Sequence, residues 1–320
     1  MPKDATLCFL GCGILCPLLG SHTPLTRRFL TGNLGAAILS SLVNSEPVEN
    51  DDMRITRFIA CTRSEDSQRR LEQRFTRSHD KVTIRKNDNV EAVLESQIVI
   101  LAVDPSAVQD VLTEAGLQEA LENKLLISVA AGWTRQKLEI TLYGDAHTDG
   151  NMEGHTCIVR TLPNIAAQVS QSLTAIEMSK PPPPASYMGI TELIFQKIGN
   201  TVQIEPKLMD ATTALGGSTP AFFAVICDAL IDAAVAVGVP RSTAHIMTFQ
   251  VMRGTAVLLQ SGIHPALLKD QGTSPEGCTI GGLMVMEEAG VRGHIGRALR
   301  EAVTIARRMD DSSHVNDTRH

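Results

Sequence analysis

The 320-residue chain predicts an α/β domain followed by an all-α domain. Three observations carry that expectation. Short, wholly apolar runs alternate with helical patterns through the first two hundred residues, as in a parallel sheet covered on both faces. A glycine-rich turn follows the first run. Near Pro206 the pattern changes to Ala, Leu, Met and Val at helical spacing, broken by Gly and Pro.

The strands are expected in order. Leu7–Leu10 is a buried first strand ending at Gly11, and RFIAC at 57–61 a second, followed by a polar helix through Phe75. Val82–Ile84 is a third. IVILAV at 98–103 is a fourth, stopped by Asp104-Pro105. LLISVA at 125–130 is a fifth, stopped by Gly132. Cys157–Arg160, Leu173–Glu177 and Thr201–Ile204 complete the set. Asp145–Gly154 and the run Pro181–Pro184 read as loops. Phe222–Val237 is apolar nearly all round, with Asp228 and Asp232 as its only charges. Such a helix needs burial, and the hundred or so residues after Pro206 are too few to surround it, which predicts a dimer interface. The domains are therefore expected at 1–206 and 207–309, with a disordered tail at 310–320.

Composition narrows the function. Lys plus Arg is 29 and Asp plus Glu 35, a net charge of −6, with 8 Phe, 2 Tyr and 1 Trp. Nucleic-acid binding needs a basic excess or stacking aromatics, and neither is present. The seven cysteines are odd in number, widely spaced and without a CxxC pair, so neither a zinc site nor a disulfide framework is indicated. Cys8, Cys12 and Cys16 lack a nearby partner to complete a metal set. The apolar Ala5–Gly20 is too short for a membrane span and lacks a clean cleavage site. The expectation is a cytoplasmic enzyme with a small-molecule substrate and no metal, nucleic-acid or membrane partner.

LCFLGCG at 7–13 opens a dinucleotide-binding fingerprint, in which glycines let the backbone approach a pyrophosphate and the next helix offers its amides. It breaks off after Gly11 and Gly13, with Cys16 and Pro17 following. The missing part comes later, as GNLGAAIL at 32–39. With 14–32 removed the chain reads FLGCGNLGAAILSSL, a complete Gly-x-Gly-x-x-Gly in a unit near the roughly 30 residues expected. Segment 14–32 thus reads as an insertion in the turn or as a retained intron. It keeps the frame, and its boundary residues are compatible with splice-site codons. Separating Gly11 and Gly13 from Asn33 and Leu34 is expected to weaken cofactor binding more than folding. After the second strand comes Cys61-Thr62-Arg63-Ser64, with no carboxylate until Glu65. An Arg and two hydroxyls suit the 2′-phosphate of NADP better than the ribose of NAD.

TSPEGCTIGGL at 273–283 is the densest signal. Ser274 suits an N-cap, Pro275 the first helical position and Glu276 the first turn, so a helix start with free amides is expected, a natural carboxylate site. Three glycines there fit close approach to the backbone.

On these stretches the chain resembles the pyrroline-5-carboxylate reductase family. The likeness rests on MDATTALGGSTPAFF, DALIDAAVAVGVPR and HPALLKDQGTSPEGCTIGGLMVMEEAGVR, with LGCG plus NLGAAI, ILAVDP, SVAAGW and VRTLPN in the first half. It implies a Rossmann-like dinucleotide-binding domain, a helical dimerisation domain, and NAD(P)H-dependent reduction of a cyclic imine to proline by a homodimer or an oligomer of dimers. Carried over by match, the cofactor (NADP, with NAD possible) contacts the glycine turn with Asn33 and Leu34, then Thr62, Asn89, Ala102, Val103, Asp104, Pro105, Ala130, Ala131 and Gly132. Asn164 lies near the nicotinamide. Ser274, Gly277 and Cys278 hold the substrate, and Thr279 hydrogen-bonds the ring nitrogen as the catalytic group. The chain departs from the family at the insertion, at Asp104 in place of Lys, and at Glu276 in place of a small residue. An iminium is already electrophilic, so hydride transfer needs positioning more than acid–base help, which fits a site without an obvious histidine. His264, before Pro265, reads as a loop residue. Two alternatives stand beside this reading: a reductase-like protein impaired by the interrupted turn, and another Rossmann hydroxy-acid dehydrogenase, for which the 274 motif lacks a Lys or His base.

Overall fold

The computed structural model describes residues 2–13, 34–144 and 154–308. The insertion 14–32, Asn33, most of the 145–154 loop and the tail 310–320 lie outside the described residues.

The strands are β1 (Lys3–Leu10), β2 (Val48–Glu49), β3 (Met53–Thr62), β4 (Val82–Lys86), β5 (Ile98–Leu101), β6 (Leu125–Ser128), β7 (Cys157–Leu162), β8 (Ser172–Glu177) and β9 (Gly199–Ile204). They form one sheet in the order β3-β1-β5-β6-β7-β8-β9; on the edge of β3 away from β1, the two-residue β2 pairs antiparallel with Arg54 and Ile55 and β4 pairs parallel with Phe58–Thr62. Every expected strand is present. β2 is an addition too short to leave a periodic signal.

The sheet is not parallel throughout. From β4 to β7 all long strands run the same way, but β8 is antiparallel to β7, with Thr161 opposite Ile176, and β9 then runs parallel to β8. The reason lies in the connection. A parallel crossover needs a dozen or more residues. The stretch from Leu162 to Ser172 is shorter than that and is taken up by the 3-10 turn Ile165–Val169.

Alternation along β1 sorts its side chains to the two faces. Leu7 and Phe9 join the core beneath helices Leu34–Val43 and Ala185–Gln196, whereas Cys8 and Leu10 join the core beneath Asn89–Leu94, Val108–Leu112 and Arg135–Tyr143. β5, which is IVIL, is fully buried on both faces. The chain leaves β1 toward β3 and later returns on the other side to β5, so the crevice at the carboxyl ends of β1, β3 and β5 is the point where strand order reverses.

The chain divides into two compact units, Met1–Gly217 with the last residues of the final helix, and Ser218–Thr304. The second unit is helical: Thr219–Ala236, Arg241–Gln260, Pro265–Gln271, Cys278–Glu288 and the helix that opens at Val291. Within the chain, the apolar Thr219–Ala236 helix buries only Cys227 and Ile231, and leaves Phe223, Val225 and Leu230 more than half exposed.

Candidate active site

The described part of the glycine turn is built by close backbone approach. Gly11 has φ +90°, and a Cβ there would lie 2.5 Å from Val103 Cγ1 and 2.7 Å from the Val103 backbone. A side chain at residue 11 is thus barred twice, by conformation and by the Val103 backbone just beyond β5. The Leu10 carbonyl accepts from Ala102 N at 2.8 Å, and Cys12 N donates to the Cys61 carbonyl at 3.0 Å, so the ends of β1, β3 and β5 are tied at the turn. Gly35, in the first turn of the helix that follows, is seated against Gly11, Cys12 and Ala102. Leu34 turns its side chain into the core beneath. The first and third glycines of the fingerprint therefore meet despite the intervening segment, while Asn33 lies outside the described residues.

Among the described residues, a Cβ at Gly13 would meet only Ser67, whose Oγ would be 3.7 Å away. This places the tip of the turn beside the first turn of helix Glu65–Arg74. Ser64 caps that helix, accepting from Ser67 N at 3.2 Å and donating to Ser67 Oγ at 2.9 Å. Thr62 is buried, and Arg63 beside it is exposed with no ion pair among the described residues. Lys86, opposite Thr62 in the β3–β4 register, donates to Glu65 Oε1 at 2.9 Å. That bond and its charge hold Glu65 below the usual carboxylate range.

The next two rims are joined by a residue that sequence reasoning passed over. Trp133 follows Gly132 (φ +75°) and donates from Nε1 to the Pro105 carbonyl at 2.9 Å. It thereby clamps Ala102–Pro105 to Ala130–Gly132, with Lys137 lying over its ring at 4.6 Å. The sequence signal was available, since a lone buried Trp must find an acceptor for its N–H. Asp104 caps the short turn Pro105–Ala107, and its Oδ1 accepts from Ser106 N at 3.0 Å and from Ser106 Oγ at 2.6 Å. These bonds keep it ionised below the ordinary range. Asn89 opens helix Asn89–Leu94 at the end of β4 and donates to Glu114 at 2.7 Å. Asn164 is already engaged: its Oδ1 accepts from Ala166 N, and its Nδ2 donates to the Gly216 carbonyl at 2.9 Å, in the π-helical segment Thr213–Ser218.

In the second unit the 273–283 motif departs from expectation at its start. The helix begins at Cys278 and its N-cap is Gly277; Ser274 is not the cap. Ser274 to Gly277 instead form a tight turn, with Gly277 N donating to the Ser274 carbonyl at 3.1 Å. Glu276 sits in it at φ +57°, a left-handed conformation that ends any helix begun at Ser274. A Cβ at Gly277 would meet Ser274 Oγ and lie 3.1 Å from the Ser274 carbonyl oxygen, so a larger residue there needs the serine side chain to turn away. The glycine N-cap of this 11-residue helix supplies no side-chain cap, and among the described residues no side chain accepts from its opening amides, of Cys278, Thr279 and Ile280. His264 caps helix Pro265–Gln271, its Nδ1 accepting from Ala266 N at 3.2 Å, which is a structural duty.

A glycine turn at the strand-order reversal, with cations and hydroxyls rather than a carboxylate ending β3, defines a Rossmann-type NAD(P)-dependent oxidoreductase with a helical second unit. The comparisons make this specific. Residues 206–309 match the family model for pyrroline-5-carboxylate reductase dimerisation, and 30–132 match NADP oxidoreductase coenzyme F420-dependent. Pyrroline-5-carboxylate reductase of Lophium arboricola is 42% identical over 301 residues, covering 90% of this chain and 94% of the relative. That of Neurospora crassa is 35% identical, covering 95% and 99%. Among solved structures, Plasmodium falciparum pyrroline carboxylate reductase with NADP bound superimposes with a TM-score of 0.74 at 22% identity, covering 97% of this chain and 100% of that one. The Coxiella burnetii enzyme also gives 0.74, at 24% identity, covering 96% and 99%. The chain belongs to the pyrroline-5-carboxylate reductase family.

Proposed function

We infer that the protein reduces 1-pyrroline-5-carboxylate to L-proline by hydride transfer from NAD(P)H, with NADPH preferred. Two observations support this, each within its own unit: Gly35 packed on Gly11 and Cys12 in the first, and a helix start at Cys278 with a glycine N-cap in the second.

The glycine turn fits a dinucleotide. Gly11 and Gly35 bring backbone close enough that a pyrophosphate would reach amides, and among the described residues only Ser67 comes near a Cβ at Gly13. Gly11, Gly13, Asn33 and Leu34 would hold the pyrophosphate. Thr62, Arg63 and Asn89 would hold the adenosine half, and Ala102, Val103, Asp104, Pro105, Ala130, Ala131, Gly132 and Asn164 the remainder. The bound cofactor supplies the hydride. The protein supplies orientation: Trp133 locks the two loops, and Asn164 anchors the end of β7 to Gly216. Ser274, Gly277 and Cys278 would take the substrate carboxylate on the helix-start amides. The Thr279 hydroxyl would hydrogen-bond the ring nitrogen, favouring the geometry in which the imine carbon accepts hydride.

We place the cofactor domain at 1–206 and the dimerisation and substrate domain at 207–309. Pro206–Ala236 is apolar enough by length and composition to cross a membrane. A homodimer is the better reading, because the exposed Phe223, Val225 and Leu230 fall within the segment that matches a dimerisation family model. The enzyme would work in the cytoplasm. NADPH oxidation by the purified chain on addition of the cyclic imine tests the activity; turnover of a hydroxy acid instead would overturn it. Light scattering tests the dimer, and a monodisperse monomer of about 35 kDa would contradict it.

A further inference from the structure

The order of charges after β3 raises a question of specificity. A carboxylate in this region is what selects the unphosphorylated ribose of NAD. Glu65 is such a carboxylate, two residues beyond Arg63, on a helix whose first turn lies beside Gly13. Its two oxygens are both engaged: Oε1 accepts from Lys86 at 2.9 Å, and Oε2 pairs with Arg69 at 3.5 Å. Arg63 has no carboxylate partner among the described residues, so the cluster carries more positive than negative charge. The neighbouring acid Asp66 is spent on Arg70 at 2.8 Å, and Arg85, beside Lys86, is spent on Asp88 and Glu95.

We propose that Lys86 is a specificity-determining residue that acts through Glu65, holding its carboxylate away from the adenosine ribose so that the cluster accepts a 2′-phosphate. The inference rests on the cofactor reading above and deepens it. Lys86 can do this because the parallel pairing of β3 with β4 sets it opposite Thr62, one strand over from the Arg63-Ser64 turn. At one-third exposure it is the less mobile partner, whereas Glu65 is two-thirds exposed and without Lys86 would be held only by the longer 3.5 Å contact to the exposed Arg69. A free carboxylate there would repel a 2′-phosphate and offer an acceptor to a 2′-hydroxyl. Lys86 is thus a positioning residue, and its effect must discriminate between the two dinucleotides.

The test is equilibrium titration of the full-length protein with NADPH and with NADH, read by energy transfer from the single tryptophan, Trp133, to the nicotinamide. Without an imine in the cuvette, the result does not depend on which substrate the enzyme reduces. The expected result is that Lys86→Met weakens NADPH about 10-fold, roughly 1.4 kcal/mol, and changes NADH by less than about 2-fold. Lys86→Arg retains the wild-type preference. In a Glu65→Gln background the Lys86→Met loss shrinks to under about 3-fold, and Glu65→Gln alone leaves NADPH binding intact or tighter. Equal losses for both dinucleotides, an undiminished loss in the Glu65→Gln background, or weaker NADPH binding by Glu65→Gln alone would each overturn the inference while leaving the reductase reading intact. Failure of the wild type to bind either dinucleotide would overturn both.

Discussion

A Cβ added to Gly35 would lie 3.0 Å from Ala102 Cβ, 3.5 Å from Cys12 Sγ and 3.7 Å from the Gly11 carbonyl oxygen. The third glycine of the phosphate turn is therefore packed on the first, even though segment 14–32 intervenes in the chain. Lengthening a loop whose ends already meet is inexpensive, about 0.6 kcal/mol per doubling. The full chain and a chain lacking 14–32 are expected to melt within a few degrees of each other and to bind NADPH within about 10-fold. A larger gap in NADPH affinity at equal melting temperature would show that the segment obstructs the site. Gly11→Ala, by contrast, meets both positive φ and the Val103 backbone, and is expected to abolish NADPH binding in either chain.

Thr279→Val keeps the shape of the side chain and removes one hydrogen bond. A net bond of about 0.5–1.5 kcal/mol corresponds to a fall in kcat/KM of about 2- to 10-fold, with the fold intact by circular dichroism. An unchanged kcat/KM would take Thr279 out of the site.

Glu276 holds φ +57° without being glycine. Left-handed backbone costs an ordinary residue about 1–2 kcal/mol, and glycine gives back about 0.5–1 in unfolded-state entropy. Glu276→Gly is expected to stabilise the protein by about 0.5–1 kcal/mol in urea unfolding. Destabilisation would mean that the glutamate side chain stabilises the turn by more than its backbone strain costs.

Asp104 brings a carboxylate to the loop assigned to the cofactor, and Ser106 keeps it ionised. Asp104→Asn is expected to tighten NADPH about 3- to 10-fold at neutral pH. The sign of the pH effect follows from the depressed pKa. The charge, and so the penalty, is fully present above the usual carboxylate range, and is relieved only as pH falls through a value lower than that. The gain from Asp104→Asn should therefore be the same at pH 8 and pH 5.5. A gain that fades by pH 5.5 would contradict the assignment.

Arg160 and Glu177 form an ion pair at 2.7 Å between β7 and β8, with side chains 9% and 5% exposed. They floor an open cleft of about 1180 Å³ whose rim carries Arg135, Lys180 and Lys207. Removing one partner strands the other's charge, so Arg160→Met should cost about 3 kcal/mol, the low end for a buried pair because the cleft admits water. A cost below about 1 kcal/mol would mean that the pair is effectively solvated.

Local sequence determined much of this protein. Apolar runs without alternation, such as IVIL at 98–101, placed the central strands, because a strand covered on both faces has no polar side to show. Gly11 was legible as a close-approach position because its positive φ and the Val103 backbone leave no room for a side chain. What tertiary structure decided is whatever depends on partners distant in the chain. The reversal of β8 followed from the length of a connection, not from the composition of the strand. Trp133 stood in SVAAGW and Glu65 after the second strand without an assigned partner, and Lys86 stood in no motif; their duties emerged only when strand order set Trp133 against Pro105 and set Lys86 across from Thr62 within reach of Glu65. Ser274 shows the converse: its residue type favours a helix cap, but the left-handed Glu276 moved the helix start to Cys278. Propensity is a local energy of about 1 kcal/mol, and a backbone turn committed two residues later outweighs it.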